Sequence, residues 1–112
     1  MKYVIITDKH GSKYYYVNNK FHREDGPAVE YADGIKVWYK NGLYHREDGP
    51  AIEYSDGNRC WYLNGLYHRE DGPAIEYSDG NRCWYLNNKK YGYNNDFTNE
   101  SWKKFVKTLI FS

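Results

Sequence analysis

The chain has 112 residues, a formal net charge of +1 and a 20% share of aromatic residues, with 14 tyrosines. One domain fits that length, but a large enzyme core plus a second module does not. The aromatic content excludes a disordered chain. Charge is basic over residues 1–21 and mildly acidic through the middle. This weighs against a nucleic-acid partner, because a phosphate-tracking array concentrates Lys and Arg on the surface it repeats.

The opening Met1-Lys2-Tyr3-Val4-Ile5-Ile6 is too short for a signal-peptide apolar region, and no run reaches transmembrane length, so no membrane insertion is expected. With two cysteines and no export signal, a cytoplasmic, reducing setting is expected. Residues 1–21 form a degenerate N-terminal repeat, in which His10 to Asn19 align in register with Asp33 to Gly42. Residues 22–90 hold three copies with a 23-residue period: His22–Tyr44, His45–Tyr67 and His68–Lys90. Atypical ends flanking regular copies are what a repeat array needs.

Each copy carries two hairpin signals, Asp56-Gly57 and Asn64-Gly65 in the second, set between short β-forming stretches. Reading both as two-residue turns places Ile52 opposite Trp61, Glu53 opposite Cys60, Tyr62 opposite Tyr67 and Leu63 opposite Leu66. Strand alternation then predicts one greasier face with Ile52, Tyr54, Trp61, Leu63, Leu66 and His68. Ala51, Glu53, Cys60, Tyr62, Tyr67 and Arg69 take the other. Isolated hairpins are marginal, so stacking of copies is expected to align Trp38, Trp61 and Trp84 in a ladder. The fold expected is all-β, a single-layer antiparallel meander of stacked hairpin repeats with a short C-terminal α-helix.

Residues 91–112 form that helical cap. Trp102, Phe105, Val106, Leu109 and Ile110 follow helical spacing on one side, with Lys103, Lys104 and Lys107 opposite. Thr98 suits the N-cap, and Phe97 can close on Trp102 as a hydrophobic staple. Two roles are open for the apolar side: a lid over the last repeat or the greasy face, or a partner-docking helix using Trp102, Phe105 and Leu109.

The unit Gly72-Pro73-Ala74-Ile75-Glu76-Tyr77-Ser78-Asp79-Gly80, followed by Trp84-Tyr85-Leu86-Asn87, resembles a variant of the MORN repeat in length and residue order. The resemblance covers roughly residues 8–90 and implies one elongated, twisted sheet of stacked hairpins. His-Arg-Glu-Asp-Gly-Pro stands where that family usually has a Gly-rich start, so its phospholipid binding does not carry over. Arrays of this variant resemble proteins of bacteriophages, giant viruses and some bacteria. A phage protein of this size implies an inhibitor of a host defence system, acting in the host cytoplasm.

Several constellations invite chemistry. His22, His45 and His68 recur one repeat apart, roughly 10–14 Å when two or three strands of about 4.8 Å intervene, too far to share a metal. Packing against Trp or bonding a neighbouring turn is the expected role. Cys60 and Cys83 share the repeat position of Val37 and read as small apolar groups, too distant for a disulfide. Asp25, Asp48 and Asp71 are expected to close turns through their own backbone. Glu30, Glu53 and Glu76 with Arg23, Arg46 and Arg69 read as rows of ion pairs. No P-loop, dinucleotide fingerprint, Ser triad or HExxH motif occurs, and no enzyme activity, cofactor or metal is expected. The preferred binding surface is a comb of Tyr39, Tyr44, Tyr62, Tyr67 and Tyr85 with Arg46, Arg69, Glu53 and Glu76, because Tyr and Arg dominate hot spots. The leading functional expectation is a protein-binding repeat module. The alternative is sequestration of a small ligand such as a nucleotide signal, which needs an enclosed pocket and therefore a homodimer.

Overall fold

Two kinds of glycine-bearing corner set the register, and their chemistry differs. At Asn64-Gly65 both residues have positive φ, 51° and 82°, the pair a type I′ hairpin requires. Tyr62 therefore faces Tyr67 and Leu63 faces Leu66, as expected. At Ser55-Asp56-Gly57 only the glycine is left-handed, with φ 98°. The Tyr54 N–H donates to the Asn58 carbonyl at 3.0 Å and the Gly57 N–H to the Tyr54 carbonyl at 3.1 Å. Asp56 Oδ1 accepts the Asn58 N–H at 2.9 Å. The result is a three-residue loop closed on a glycine bulge, with Ile52 opposite Cys60 and Glu53 opposite Arg59. The expected pairing around this corner is therefore off by one residue, and such a slip exchanges the faces.

The computed structural model describes residues 1–110, the side chain of Ile110 excepted, so the apolar position expected for Ile110 lies outside the described residues. The strands, in chain order, are β1 (Val4–Thr7), β2 (Lys13–Val17), β3 (Lys20–Phe21), β4 (Val29–Glu30), β5 (Lys36–Val37), β6 (Tyr39–Lys40) and β7 (Leu43–Tyr44). They continue as β8 (Ile52–Glu53), β9 (Arg59–Cys60), β10 (Tyr62–Leu63), β11 (Leu66–Tyr67), β12 (Ile75–Glu76), β13 (Arg82–Leu86) and β14 (Lys89–Tyr93). An antiparallel sheet runs in the order β1-β2-β4-β5-β8-β9-β12-β13-β14, with β3 beside β2, while β6-β7 and β10-β11 form two-stranded ladders of their own. Backbone bonds of 2.8–2.9 Å stitch successive hairpins, from Gly42 N–H to Phe21, Gly65 N–H to Tyr44 and Asn88 N–H to Tyr67. The array extends 46 × 31 × 18 Å, the long thin body of a meander.

The register decides which side chains are buried. Val29, Val37, Ile52, Cys60, Ile75 and Cys83 stand opposite one another strand after strand and are all buried. Alternation along Cys60-Trp61-Tyr62 puts Tyr62 on that same face and Trp61 on the other, and Tyr62 and Tyr67 do pack on the buried row. The expected grouping of Ile52 with Trp61, and of Cys60 with Glu53, is corrected accordingly. Opposite the buried row, the other face carries a line of alternating charge: Lys13, Glu30, Lys36, Glu53, Arg59, Glu76 and Arg82, each facing the next.

No tryptophan ladder forms among the described residues. Six tyrosines and one phenylalanine make the continuous stack instead: Tyr16, Phe21, Tyr39, Tyr44, Tyr62, Tyr67 and Tyr85 follow one another with ring centroids 4.4–5.0 Å apart. Two-residue hairpins set each pair directly across a ladder, and the inter-hairpin bonds bring each pair against the next.

After the strand β14 and a short 3-10 turn, α1 (Asn99–Ile110) closes the C-terminal end. Thr98 Oγ1 accepts the Ser101 N–H at 3.0 Å, and Phe97 sits 4.9 Å from Trp102, giving the expected cap and staple. Trp102 and Val106 are buried against Trp84, and the Trp102 Nε1–H donates to the Arg69 carbonyl at 2.8 Å. The apolar side of the helix is thus a lid on the last repeat, on the tryptophan face. Trp102 is a core residue here, not a docking one; Phe105 is half-buried beside it and Leu109 is 40% exposed. Truncating Trp102 to Ala should cost about 3–5 kcal/mol of stability, with helical circular dichroism lost and the lowered thermal midpoint read by calorimetry.

Candidate binding face

The His-Arg-Glu-Asp-Gly-Pro segment is where the sequence concentrates its polar chemistry, and the structure turns its histidines and arginines inward while its carboxylates stay at the surface. The Arg46 guanidinium lies 3.8 Å over the Trp38 ring. It donates to Asp48 Oδ1 at 2.9 Å, to the Pro50 carbonyl at 3.1 Å and to Glu53 Oε2 at 2.8 Å. Arg69 repeats this clasp over Trp61 with Asp71, Pro73 and Glu76. Arg23 does so over Tyr15 with Asp25 and Pro27, its Glu30 at 3.7 Å. Glycine also lies close against each guanidinium: a Cβ at Gly49 would stand 2.8 Å from the Arg46 Cζ. Asp48 thus holds an arginine side chain instead of closing its own backbone, contrary to expectation.

The histidines complete the clasp. Asn41, Asn64 and Asn87 donate their N–H groups to Nδ1 of His22, His45 and His68 at 2.9–3.1 Å. Nδ1 being an acceptor, the ring proton sits on Nε2, which faces Glu24 at 2.8 Å and Glu70 at 2.9 Å. Glu47 lies 3.6 Å from the His45 Nε2. Each imidazole therefore ties the start of its repeat to the Asn corner of the hairpin that follows in the same repeat, one of the two roles expected for it. No cluster of three metal-ligating side chains occurs among the described residues. Cys60 and Cys83 are free and buried, with Ile75 standing between them in the ladder. Burial pushes the Cys60 thiol up to about 11, which leaves it protonated and unreactive at neutral pH.

The proposed comb is accordingly divided. Tyr39, Tyr44, Tyr62, Tyr67 and Tyr85 share the face of the buried row, whereas Arg46, Arg69, Glu53 and Glu76 sit on the opposite face in the clasps. On that opposite face, grooves of about 550 and 610 Å³ run between successive clasps. Carboxylates that are mostly solvent-exposed, Glu47, Asp48, Glu70 and Asp71, stand along them. A third, of about 620 Å³, lies under the helix beside Leu86 and Tyr91.

On the tyrosine face a further row, absent from the sequence-based site, comes forward. Tyr31, Tyr54 and Tyr77 begin the three-residue corners and are 40, 40 and 41% exposed, far more open than the buried row beside them. Their corners read Tyr-Ala-Asp-Gly-Ile, Tyr-Ser-Asp-Gly-Asn and Tyr-Ser-Asp-Gly-Asn and stack on one another. The Ser78 N–H, for instance, donates to Asn58 Oδ1 at 2.6 Å. Asp-Gly and Asn-Gly read alike in the sequence; only the structure shows that the Asp keeps a negative φ, which makes the loop three residues long and leaves the residue before it beside the ladder.

Burial, with hydrogen bonds to Tyr44 and Tyr67, pushes the Tyr39 and Tyr62 hydroxyls far above the phenolic range. Tyr54 and Tyr77 are raised too, burial being the main cause. Comparisons with protein families, with curated proteins and with solved structures find no match to this chain.

Two outcomes follow from this geometry. Arg46→Lys keeps the charge but loses the fork, and Gly49→Ala displaces it. Each should lower stability by about 1–3 kcal/mol, and the double variant by less than the sum, since one clasp is broken twice. Denaturant titration of the four proteins measures this. Phenols with raised pKa keep their protons in the folded chain while the unfolded chain loses them above pH about 10. Stability is therefore intact below that pH and falls as pH rises beyond it. Tyrosinate absorbance and far-UV circular dichroism should change together on alkaline titration, and Tyr62→Phe should soften the loss.

Proposed function

We propose that this chain is a non-enzymatic, MORN-like repeat protein that binds a protein partner through its tyrosine face. The observation that carries the reading is the row of half-open tyrosines, Tyr31, Tyr54 and Tyr77, set beside a continuous stack of rings. Tyr offers large contact area with only two rotatable bonds to freeze, and Ser, Gly and Asn supply adaptable hydrogen bonds. The corners Tyr54-Ser55-Asp56-Gly57-Asn58 and Tyr77-Ser78-Asp79-Gly80-Asn81 reproduce that mixture at regular intervals on a rigid ladder. Such a face acts by occupancy: it covers a partner's surface without altering a bond. An inhibitor of a host defence protein in the cytoplasm, as the resemblance to phage and giant-virus arrays implies, would work this way.

The clasps argue against capture of a small anionic signal. Their guanidinium groups are already bonded to Asp48, Glu53, Asp71 and Glu76, and the grooves between them display carboxylates. A nucleotide would meet repulsion where it needs donors. No helix among the described residues is long and apolar enough to cross a membrane.

The test is affinity capture from cell lysate with the intact chain and with a Tyr31→Ser, Tyr54→Ser, Tyr77→Ser variant, followed by mass spectrometry and titration of the captured protein. A stoichiometric complex weakened about thirtyfold or more in the variant is expected, the size of one lost hot-spot residue, with the variant's thermal midpoint little changed. Equal affinity in the two proteins would remove the tyrosine row from the interface. Release of a small molecule on denaturation, with no protein captured, would replace the reading.

A further inference from the structure

The two ends of the array are finished differently. At the C-terminal edge, β14 carries Lys89, Lys90 and Gly92, a register shift interrupts its pairing opposite Trp84 and Tyr85, and α1 packs alongside. Charge, bulges and covering elements are the devices by which natural sheets keep an edge from pairing with another chain. At the N-terminal edge, β1 has none of them. Its residues Val4, Ile5, Ile6 and Thr7 are uncharged, and the three aliphatic ones are 56, 55 and 48% exposed.

The backbone of β1 is also presented outward. Tyr15, opposite Ile5, sends its N–H to the Ala28 carbonyl at 2.7 Å and receives the His22 N–H on its own carbonyl at 3.0 Å, both away from β1. Antiparallel opposites turn these groups toward or away from each other together, so the N–H and C=O of Ile5 point off the edge of the sheet.

We propose that β1 pairs with β1 of a second copy of this chain, antiparallel and centred on Ile5. An outward-facing residue at the two-fold axis is the condition for a hydrogen-bonded pair, and Ile5 meets it. The register then follows by counting: Ile5 opposes Ile5, Val4 opposes Ile6, and Lys2 opposes Asp8 of the other copy. Apolar side chains meet apolar ones within the strand, and beyond it Lys2 comes opposite Asp8, whose carboxylate also accepts the His10 and Ser12 N–H groups and the Tyr14 hydroxyl in its own corner. Because opposed residues share a face, Val4 and Ile6 of both copies lie on the tyrosine side, and the two arrays join into one continuous sheet with a doubled tyrosine face. The seam is short, well under the roughly 800 Å² per partner of a standard interface. The dimer is therefore weak and concentration-dependent.

Sedimentation velocity between about 1 μM and 1 mM tests this, a range that brackets weak association. The intact chain should shift from monomer to dimer across it, and Ile5→Lys, a change at an exposed position, should remain monomeric with unaltered near-UV circular dichroism. The register has its own readout. Hydrogen-bonded antiparallel opposites have Cα atoms about 5.5 Å apart, within disulfide reach, so Ile5→Cys should form an oxidised dimer rapidly, while Val4→Cys and the unsubstituted chain should not. A monomer at every concentration, a dimer unaffected by Ile5→Lys, or equal cross-linking at positions 4 and 5 would each overturn the proposal.

Discussion

A single-layer sheet lacks a second sheet to pack against, so its two faces must each find their own way of excluding water. On one face the arginine clasp does this. A guanidinium laid flat on Trp38, Trp61 or Tyr15 covers the ring with a cation. Its N–H edge meanwhile ties together the loop that follows and the first strand after it. Planarity is what permits both at once: one surface stacks and the edge donates. Glycine beneath it is a steric consequence, since any side chain at Gly49 or Gly72 would occupy the space of the guanidinium itself. The motif His-Arg-Glu-Asp-Gly-Pro is therefore a unit of packing, and its recurrence reflects the recurrence of the ring it covers.

The opposite face solves the same problem with a row of small apolar side chains bordered by rings. The buried row from Val29 to Cys83 is narrow, too thin to hold an array together without help from its borders. The tyrosine stack supplies one border, and its rings lie within the range of separations at which aromatic pairs add about 0.5–1.5 kcal/mol beyond burial. Tyrosine differs from phenylalanine here in a hydroxyl that bonds the ring across the ladder, Tyr39 with Tyr44 and Tyr62 with Tyr67. The raised phenols of Tyr39 and Tyr62 are the electrostatic trace of their half-burial.

Much of this was legible in the residues. The 23-residue period, the Asn-Gly corners, the capped and stapled helix and the all-β class follow from local chemistry that tertiary packing does not override. The face assignment did not, and one corner accounts for it. Asn-Gly and Asp-Gly look alike as turn signals, but Asn64 takes positive φ and Asp56 does not. The Asp side chain instead accepts the N–H two residues on, which favours a right-handed turn and pushes the left-handed demand onto glycine alone. That adds one residue to the loop and inverts every assignment between one hairpin and the next. The candidate site inherited the error: Tyr62 and Glu53 were placed together because Cys60 was paired with Glu53, and Tyr67 and Arg69 because strand alternation was carried past the end of β11 at Tyr67.

The last repeat shows how an array of this kind is brought to an end. Tyr91 and Gly92 stand where earlier copies have His and Arg, so Trp84 has no clasp above it. The Arg82 guanidinium stands off at 5.8 Å from the Trp84 ring, against 3.8–3.9 Å in the clasps, and Phe97 and Trp102 pack on the ring at 5.6 and 5.5 Å. Gly92 is needed for this too, because a Cβ there would meet Phe97 at 2.9 Å. The helix thus substitutes for one more turn of the repeat, satisfying the final ring with apolar side chains from the same chain. Among the described residues no comparable substitute covers the outer side of the first strand, and the hydrogen-bonding groups it turns outward continue the same ladder that every internal strand extends to its neighbour.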